Sequence, residues 1–157
     1  MIITDIEQID NMAEQMFGHN PNLIAIDMNV YIQLKAHSSY LNATSIEMPR
    51  CIKTGIEQFE QAVKEFKTEG VNQILLQFCG VSSSLEVEYI RFKEMCSVLR
   101  VIESHFQKKN IAEKMNREMI LCMNEELYKN VDVVWGLSNG KAADTEGYEV
   151  NVIVGYH

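Results

Sequence analysis

The first apolar stripe of the chain predicts an amphipathic helix close to the N-terminus. Thr4 and Glu7 match a capping box, in which each side chain satisfies a backbone N–H at the helix start. Gly18 is placed to end the helix, because glycine readily adopts the left-handed conformation. The apolar residues between them recur at spacings of three and four: Ile6, Ile9, Met12 and Met16.

The segment that follows predicts a β-hairpin. Residues 23–34 begin as an apolar run and then alternate between apolar and polar positions, which indicates a strand. Residues 37–42 predict a polar turn, and residues 44–48 suit a returning strand that Pro49 stops. Asp27 is unusual within an apolar strand, so we expect it either to face solvent or to lie in a functional cleft.

A second helix and a central strand come next. Thr54 and Glu57 match another capping box, and apolar residues continue at helical spacing to Phe66. Gly70 is placed to close this helix. Residues 72–79 form a short apolar run, which is typical of a central strand buried on both faces.

The C-terminal half predicts one or two helices and a closing hairpin. A helical stripe begins at Leu85 and can extend to Phe106, and residues 111–128 predict a further helix. Residues 131–137 and 148–154 predict two strands, and the Asn-Gly pair between them suits a hairpin turn.

The order of these elements predicts one α/β domain over residues 1–157. We expect an α+β two-layer sandwich, in which helices pack on a mixed sheet of four to five strands. A chain of this length can bury a sizeable core without disulfide or metal staples.

Charge and targeting signals narrow the classes of partner. The net charge is −8, with 22 acidic and 14 basic residues, which disfavours nucleic acids and anionic membranes as partners. The N-terminus lacks a basic region and an apolar stretch of signal length, and no apolar run approaches the ~18 residues of a membrane span. We expect a cytoplasmic protein.

The cysteines and histidines predict no metal site. No two cysteines are spaced as a CxxC pair, so we expect free thiols and a reducing compartment. The histidines lack partners at metal-ligand spacing. The residues concerned are Cys51, Cys79, Cys96, Cys122, His19, His37, His105 and His157.

Other conspicuous residues have a structural interpretation beside a functional one. Ser82, Ser83 and Ser84 lack the setting of a nucleophile elbow and suit a loop that caps a helix. Trp135 and Tyr89 suit either the core or an interface. The 9 methionines suit either core filling or a plastic binding groove.

Several short segments, taken in order, resemble the C-terminal domain of the tubulin/FtsZ family. Residues 131–136 (VDVVWG) and 149–154 (EVNVIV) are similar to the family's "NxIFG" and "DEIRVTVIATG" strands. Residues 54–66 are similar to its "ATGEDRATEAAKKAI" helix entry, and residues 73–80 to its "GVLLNITGG" strand. Residues 3–12 are similar to the start of its long central helix, "NLDFADVKTVM".

The resemblance implies the half of such a protein that does not bind nucleotide. The family's GTP site lies mainly in the other domain, on a "GGGTGTG" loop that has no counterpart here, so we expect no cofactor and no GTP binding by this chain alone. Relative to the family, the predicted hairpin over about residues 22–49 and the predicted helix over about residues 110–128 are additions.

One catalytic element of the family has only a partial match in this chain. The family's N-x-D-x-x-D loop, which reaches the nucleotide of the next subunit, falls on Ile3, Asp5 and Gln8, and only Asp5 matches. Asp5 is thus a possible degenerate remnant of that loop. An acid in the first turn of a helix also has a structural role, because it offsets the helix dipole.

These observations favour a non-catalytic protein-interaction or oligomerisation module, and they leave catalysis open. The expected partner is a protein, either a tubulin-like polymer protein or a second copy of the chain. The alternative is a small enzyme or ligand-binding protein of chorismate-mutase-like architecture, with sites at subunit interfaces. That alternative needs basic residues to converge, and the candidates are scattered in sequence: Arg50, Arg91, Arg100 and Arg117.

Overall fold

The computed structural model describes residues 1–17, 22–24, 26–48, 52–79, 85–106, 133–138 and 148–157. Within these ranges, helices and strands follow one another along the chain. They are α1 (Ile6–Phe17), β1 (Asn22–Ile24), α2 (Met28–His37), β2 (Tyr40–Met48), α3 (Ile52–Lys64), β3 (Val71–Cys79), α4 (Leu85–Phe106), β4 (Val133–Ser138) and β5 (Tyr148–Tyr156).

The strands form one mixed sheet in the order β1-β4-β3-β5-β2. β3 and β4 are parallel, and the other neighbouring pairs are antiparallel. β3 occupies the middle of the sheet, with all five of its central positions, residues 74–78, buried. The predicted mixed sheet and the predicted central strand are therefore confirmed.

Helices cover both faces of the sheet, so the fold has three layers. Ile74, Leu76 and Phe78 of β3 share a core with α3 and α4. Leu75, which points the opposite way, shares a second core with α1 and α2. The expectation of two layers is wrong, because a strand that is apolar on both faces needs helices on both.

The core beneath α3 and α4 is the larger of the two. It contains Phe59 and Val63 from α3, Leu99 and Ile102 from α4, and Trp135 from β4. Removing such a side chain from water contributes about 1.5–3 kcal/mol. Trp135, only 2% exposed, is therefore a core residue.

The predicted strand over residues 23–34 is wrong, because a helix begins in its middle. The side chain of Asp27 accepts a hydrogen bond from Asn29 N at 2.9 Å, and its carbonyl accepts one from Val30 N at 2.9 Å. Asp27 is thus the N-cap of α2. The buried residues Tyr31 and Leu34 have helical spacing. Asp27 is exposed, which agrees with the expectation that it faces solvent, but it lies at a helix N-cap and not in a strand.

Neither predicted hairpin forms. The predicted returning strand belongs to β2, which begins at Tyr40, inside the predicted turn, and pairs with β5. β4 and β5 are separated by β3. β4 lies parallel to β3, and parallel neighbours need a crossover connection, which includes α4 here.

The ends of two helices also differ from the prediction. α1 is capped by Asp5, whose Oδ2 accepts a hydrogen bond from Gln8 N at 3.3 Å, in place of a Thr4–Glu7 box. Thr54 lies inside α3, which begins at Ile52, and so it is not at the N-cap position. Gly70 has φ 75° and accepts a hydrogen bond from His157 N at 2.8 Å. It therefore turns the chain into β3, well after α3 has ended at Lys64.

Gly155 is required where α2 crosses β5. A Cβ at this position would lie 2.5 Å from Leu34 Cδ1 and closer still to Ser38 Oγ. Leu34 is only 2% exposed, so it has little room to move. We expect Gly155→Ala to lower the free energy of unfolding by about 1–3 kcal/mol, as measured by chemical denaturation.

The same measurement on Ser38→Ala provides the control. Because Ser38→Ala removes one of the two obstructing atoms, the double variant should lose less stability than the sum of the single variants. An unchanged stability of Gly155→Ala would contradict this close approach.

Candidate functional site

The sheet face that carries α1 and α2 changes from apolar to polar along its strands. The apolar part belongs to the core beneath the two helices and includes Leu41, Ala43, Leu75, Val134 and Ile153. Beyond this apolar part, the next two rows of side chains on the same face are polar. We call this region the polar end: Ser45, Glu47, Gln77, Cys79, Glu149 and Asn151.

Strand register sets the two rows of the polar end. In the first row, Asn151 of β5 lies between Ser45 of β2 and Gln77 of β3. In the second row, Glu149 lies between Glu47 and Cys79. Directly opposed side chains in such a sheet have Cβ atoms about 4.5–5.5 Å apart. Carboxylate, amide, hydroxyl and thiol groups therefore share one small surface.

The polar end lies at the carboxyl end of the parallel pair of strands. Gln77 and Cys79 are among the last residues of β3, and they align with Gly136 and Ser138 of β4. Open α/β sheets usually bind ligands outside this end of their strands. The topology therefore places the polar residues where a small-molecule site is expected.

Hydrogen bonds fix the positions of only some side chains of the polar end. Ser45 Oγ donates to Glu149 Oε1, and Gln77 Nε2 donates to Met16 O of α1 at 2.6 Å. The second bond satisfies one of the carbonyl groups that a helix leaves free at its C-terminus. Asn151 is only 8% exposed, but its amide atoms are not among the buried side-chain atoms of the described residues that lack a hydrogen-bond partner.

The charge of the polar end is negative. Among the described residues, no lysine, arginine or histidine forms an ion pair with Glu47 or Glu149. α1 also ends here, and the C-terminus of a helix carries a partial negative charge. The site is therefore suited to a cation or to a ligand rich in hydrogen-bond donors.

A second surface of interest is the outer edge of β2. Ile3 N donates to Ala43 O at 2.7 Å, and Ala43 N donates to Ile3 O at 2.9 Å. The main-chain groups of Ala43 thus point away from β5, and those of Ser45 and Glu47 point the same way because alternate residues share a direction. Nothing in the described part of the chain hydrogen bonds to those of Ser45 and Glu47.

No known protein family matches this chain, and no curated protein matches it as a relative. The resemblance to the tubulin/FtsZ family therefore stays a prediction.

A polar cluster joins α1 to α2. Asp10 accepts hydrogen bonds from Tyr31 Oη at 2.5 Å and from Lys35 Nζ at 2.9 and 3.0 Å. The Tyr31 bond, followed by the Lys35 contacts, lowers the pKa of Asp10. Burial, followed by the hydrogen bond to Asp10, raises the pKa of Tyr31. Because every member is paired, the cluster serves to hold the two helices together.

Most residues singled out in the sequence lie apart from the polar end. His37 and His157 are exposed, and His105 Nε2 lies 2.8 Å from Phe66 O. Asp5 caps α1. Cys79 and Cys96 are not joined in a disulfide, and burial raises the pKa of Cys96. Of these residues, only Cys79 belongs to the polar end.

Other predictions fall outside the described residues. They concern His19, Cys51, Cys122, Ser82, Ser83, Ser84, Arg50, Arg117, the side chains of Tyr89 and Arg91, and the predicted helix over residues 111–128. Arg100 is exposed on α4. The convergence of arginines that the chorismate-mutase-like alternative needs therefore stays a prediction.

Sequence reasoning missed the remaining members of the polar end, although a signal was present. Glu149 and Asn151 alternate with valines in β5, and Gln77 interrupts the apolar run of β3. Each is a polar residue in a strand otherwise built for burial. What the sequence could not provide is the strand order that brings them together.

The described residues contain neither a metal-binding cluster nor a membrane-spanning helix. In those ranges, no group of three histidine, cysteine or acidic side chains is arranged to hold a metal ion. None of the described helices combines the length and the apolar character needed to span a membrane.

The Asp10–Tyr31 hydrogen bond predicts a pH-dependent stability. At pH 7, Tyr31→Phe should lower the free energy of unfolding by about 1–2 kcal/mol, because a bond to a carboxylate is lost. Because the pKa of Asp10 is lowered in the fold, this contribution is complete above the unfolded value of ~3.9 and disappears as the pH falls through the folded value.

Denaturation measured from pH 2 to pH 7 checks this dependence. Tyr40→Phe is the control, since Tyr40 is 43% exposed and lies outside the cluster. A difference between Tyr31→Phe and wild type that stays constant over this range would show that the bond does not depend on the Asp10 charge.

Proposed function

We propose that this chain is a non-catalytic protein-interaction or oligomerisation module that binds its partner along the outer edge of β2. The observation that supports the proposal most directly is the direction of the main-chain groups of Ser45 and Glu47. They point away from the sheet, next to the one place where Ile3 already pairs with this edge.

An edge strand of this kind can add a strand from another protein. An extended segment pairs with the outward N–H and C=O groups, and its side chains provide specificity. Nine residues of β2 pair in regular register with β5, so the edge is held straight by the interior of the sheet. The short N-terminal segment shows that the edge accepts an antiparallel neighbour at Ala43.

Charged residues on an edge strand limit unwanted pairing. Glu47 is exposed at this edge, so a partner strand needs a basic or polar residue opposite it. The edge is therefore selective, which is a property expected of a specific interaction surface.

The resemblance to the tubulin/FtsZ family leads us to propose two possible partners. A tubulin-like filament stacks its subunits head to tail, and a chain without the nucleotide-binding half could dock on such a filament or end it. The second possible partner is another copy of this chain. In either case, the chain alone does not bind GTP.

Glu47→Pro tests the edge as the contact surface. Proline removes the outward N–H of residue 47, and pairing with β5 is retained because that N–H does not face β5. We expect wild type to self-associate in a sedimentation-velocity concentration series or to co-sediment with GTP-assembled FtsZ filaments. Glu47→Pro should weaken that association by about tenfold or more.

Glu47→Thr is the matched control, because it removes the same charge and keeps the N–H. Glu47→Thr should associate about as strongly as wild type, whereas Glu47→Pro should associate more weakly. The proposal is wrong if wild type remains monomeric at millimolar concentration and also fails to co-sediment with the filaments. Tight GTP binding by the purified chain would likewise contradict it.

A further inference from the structure

We propose that residues 1–4, which we call the strap, compete with a partner strand for the outer edge of β2. The inference rests on the proposed function, because it concerns the partner and the regulation of that same edge. In the free chain the strap covers part of the edge, and a partner binds by taking its place. The edge therefore binds its partner more weakly than it would without the strap.

Main-chain hydrogen bonds hold the strap to the edge at one point. Ile3 N donates to Ala43 O at 2.7 Å, and Ala43 N donates to Ile3 O at 2.9 Å, which makes an isolated antiparallel bridge. In a longer ladder the next such pair would join Met1 to Ser45. Those two main chains form no hydrogen bond with each other, and Met1 O instead accepts one from Thr44 Oγ1 at 3.2 Å. The strap is therefore held less firmly than a full strand.

The strap and a partner strand need the same space. The bridge at Ala43 and the bond from Thr44 to the Met1 carbonyl place the strap beside this part of β2. A strand that pairs with Ser45 and Glu47 would run alongside the same part of β2, at about 4.7–4.9 Å from it. Because both cannot occupy this position, partner binding requires the strap to move.

The side chains of the strap indicate which kind of partner can replace it. Ile2 is partly buried against the core beneath α3 and α4, and Ile3 is partly buried against the core beneath α1 and α2. Successive residues of an extended segment point to opposite faces of a sheet, so the two isoleucines cover both cores at this edge. A partner strand with two adjacent apolar residues restores the burial that the displaced strap loses.

The partner is therefore an extended segment with a defined pattern. Its two adjacent apolar residues take the places of Ile2 and Ile3, opposite Thr44 and Ala43. Three positions before that pair, it carries a basic residue opposite Glu47, whose exposed carboxylate attracts a positive charge.

A peptide with this pattern, acetyl-KTTIIT-amide, is the probe for the direct test. It is titrated into the ¹⁵N-labelled chain. We expect saturable shifts of the backbone signals of Ser45 and Glu47. Hydrogen exchange of the Ile3 amide should become faster, because this N–H loses its acceptor, Ala43 O, when the strap is displaced.

Ile3→Pro tests the competition, because it removes the N–H that donates to Ala43 O and so weakens the strap. This variant should bind the peptide about tenfold more tightly than wild type, since the peptide no longer has to displace a bonded strap. Adding Glu47→Pro should abolish that gain, because it removes an outward N–H of the edge.

Thr4→Pro is the matched control. It introduces the same residue one position later, where the N–H points away from β2 because alternate residues share a direction. Its affinity for the peptide should stay within about twofold of wild type, as expected for an exposed position.

The outcomes separate this inference from the proposed function. Equal affinity of wild type and Ile3→Pro, with shifts at Ser45 in both, would show that the edge binds a strand beside the strap. The inference would then be wrong, and the proposed function would stand. An unchanged exchange rate of the Ile3 amide at saturation would lead to the same conclusion. If neither chain binds the peptide, the inference is also overturned, while the sedimentation experiments alone decide the proposed function.

Discussion

The burial of β3 on both faces is the constraint from which the rest of the fold follows. Its side chains alternate between two cores, with Leu76 beneath α3 and α4 and Leu75 beneath α1 and α2. A strand of this kind cannot lie at an edge or face water, so it requires a strand on each side and a helix layer above and below. β5 and β4 fill the neighbouring positions. The three-layer arrangement, the mixed strand directions and the position of the polar end all depend on this strand.

The sequence predicts the elements that have a strong period and a clear length. The stripes of α1, α3 and α4 and the apolar runs of β3 to β5 all correspond to observed elements. The failure around Asp27 has a local cause: the residues after it alternate in polarity over a few positions, and the capping bond to Asn29 N decides in favour of a helix. Strand pairing was not predictable, since adjacent strands in the chain, β4 and β5, are separated by β3 in space.

The polar end shows why a site can escape sequence reasoning even when each of its residues is unusual. Gln77 and Asn151 are polar residues in mostly apolar strands, more than seventy positions apart. Only the antiparallel register of β3 and β5 places them side by side. The role of a polar residue in a buried strand therefore depends on its cross-strand neighbours, and the sequence alone does not identify them.

The two surfaces argued for here have different physical origins, and both lie at the β2 side of the sheet. The edge exists because a sheet that is not closed must end, and its main-chain groups then face outward. The polar end begins where the core beneath α1 and α2 stops, because the rows beyond Leu75 and Ile153 on the same face carry polar side chains. Ser45 belongs to both, with its main chain directed outward and its hydroxyl bonded to Glu149. A strand docked at the edge would therefore pair with the main chain of a residue whose hydroxyl is bonded to Glu149 of the neighbouring strand.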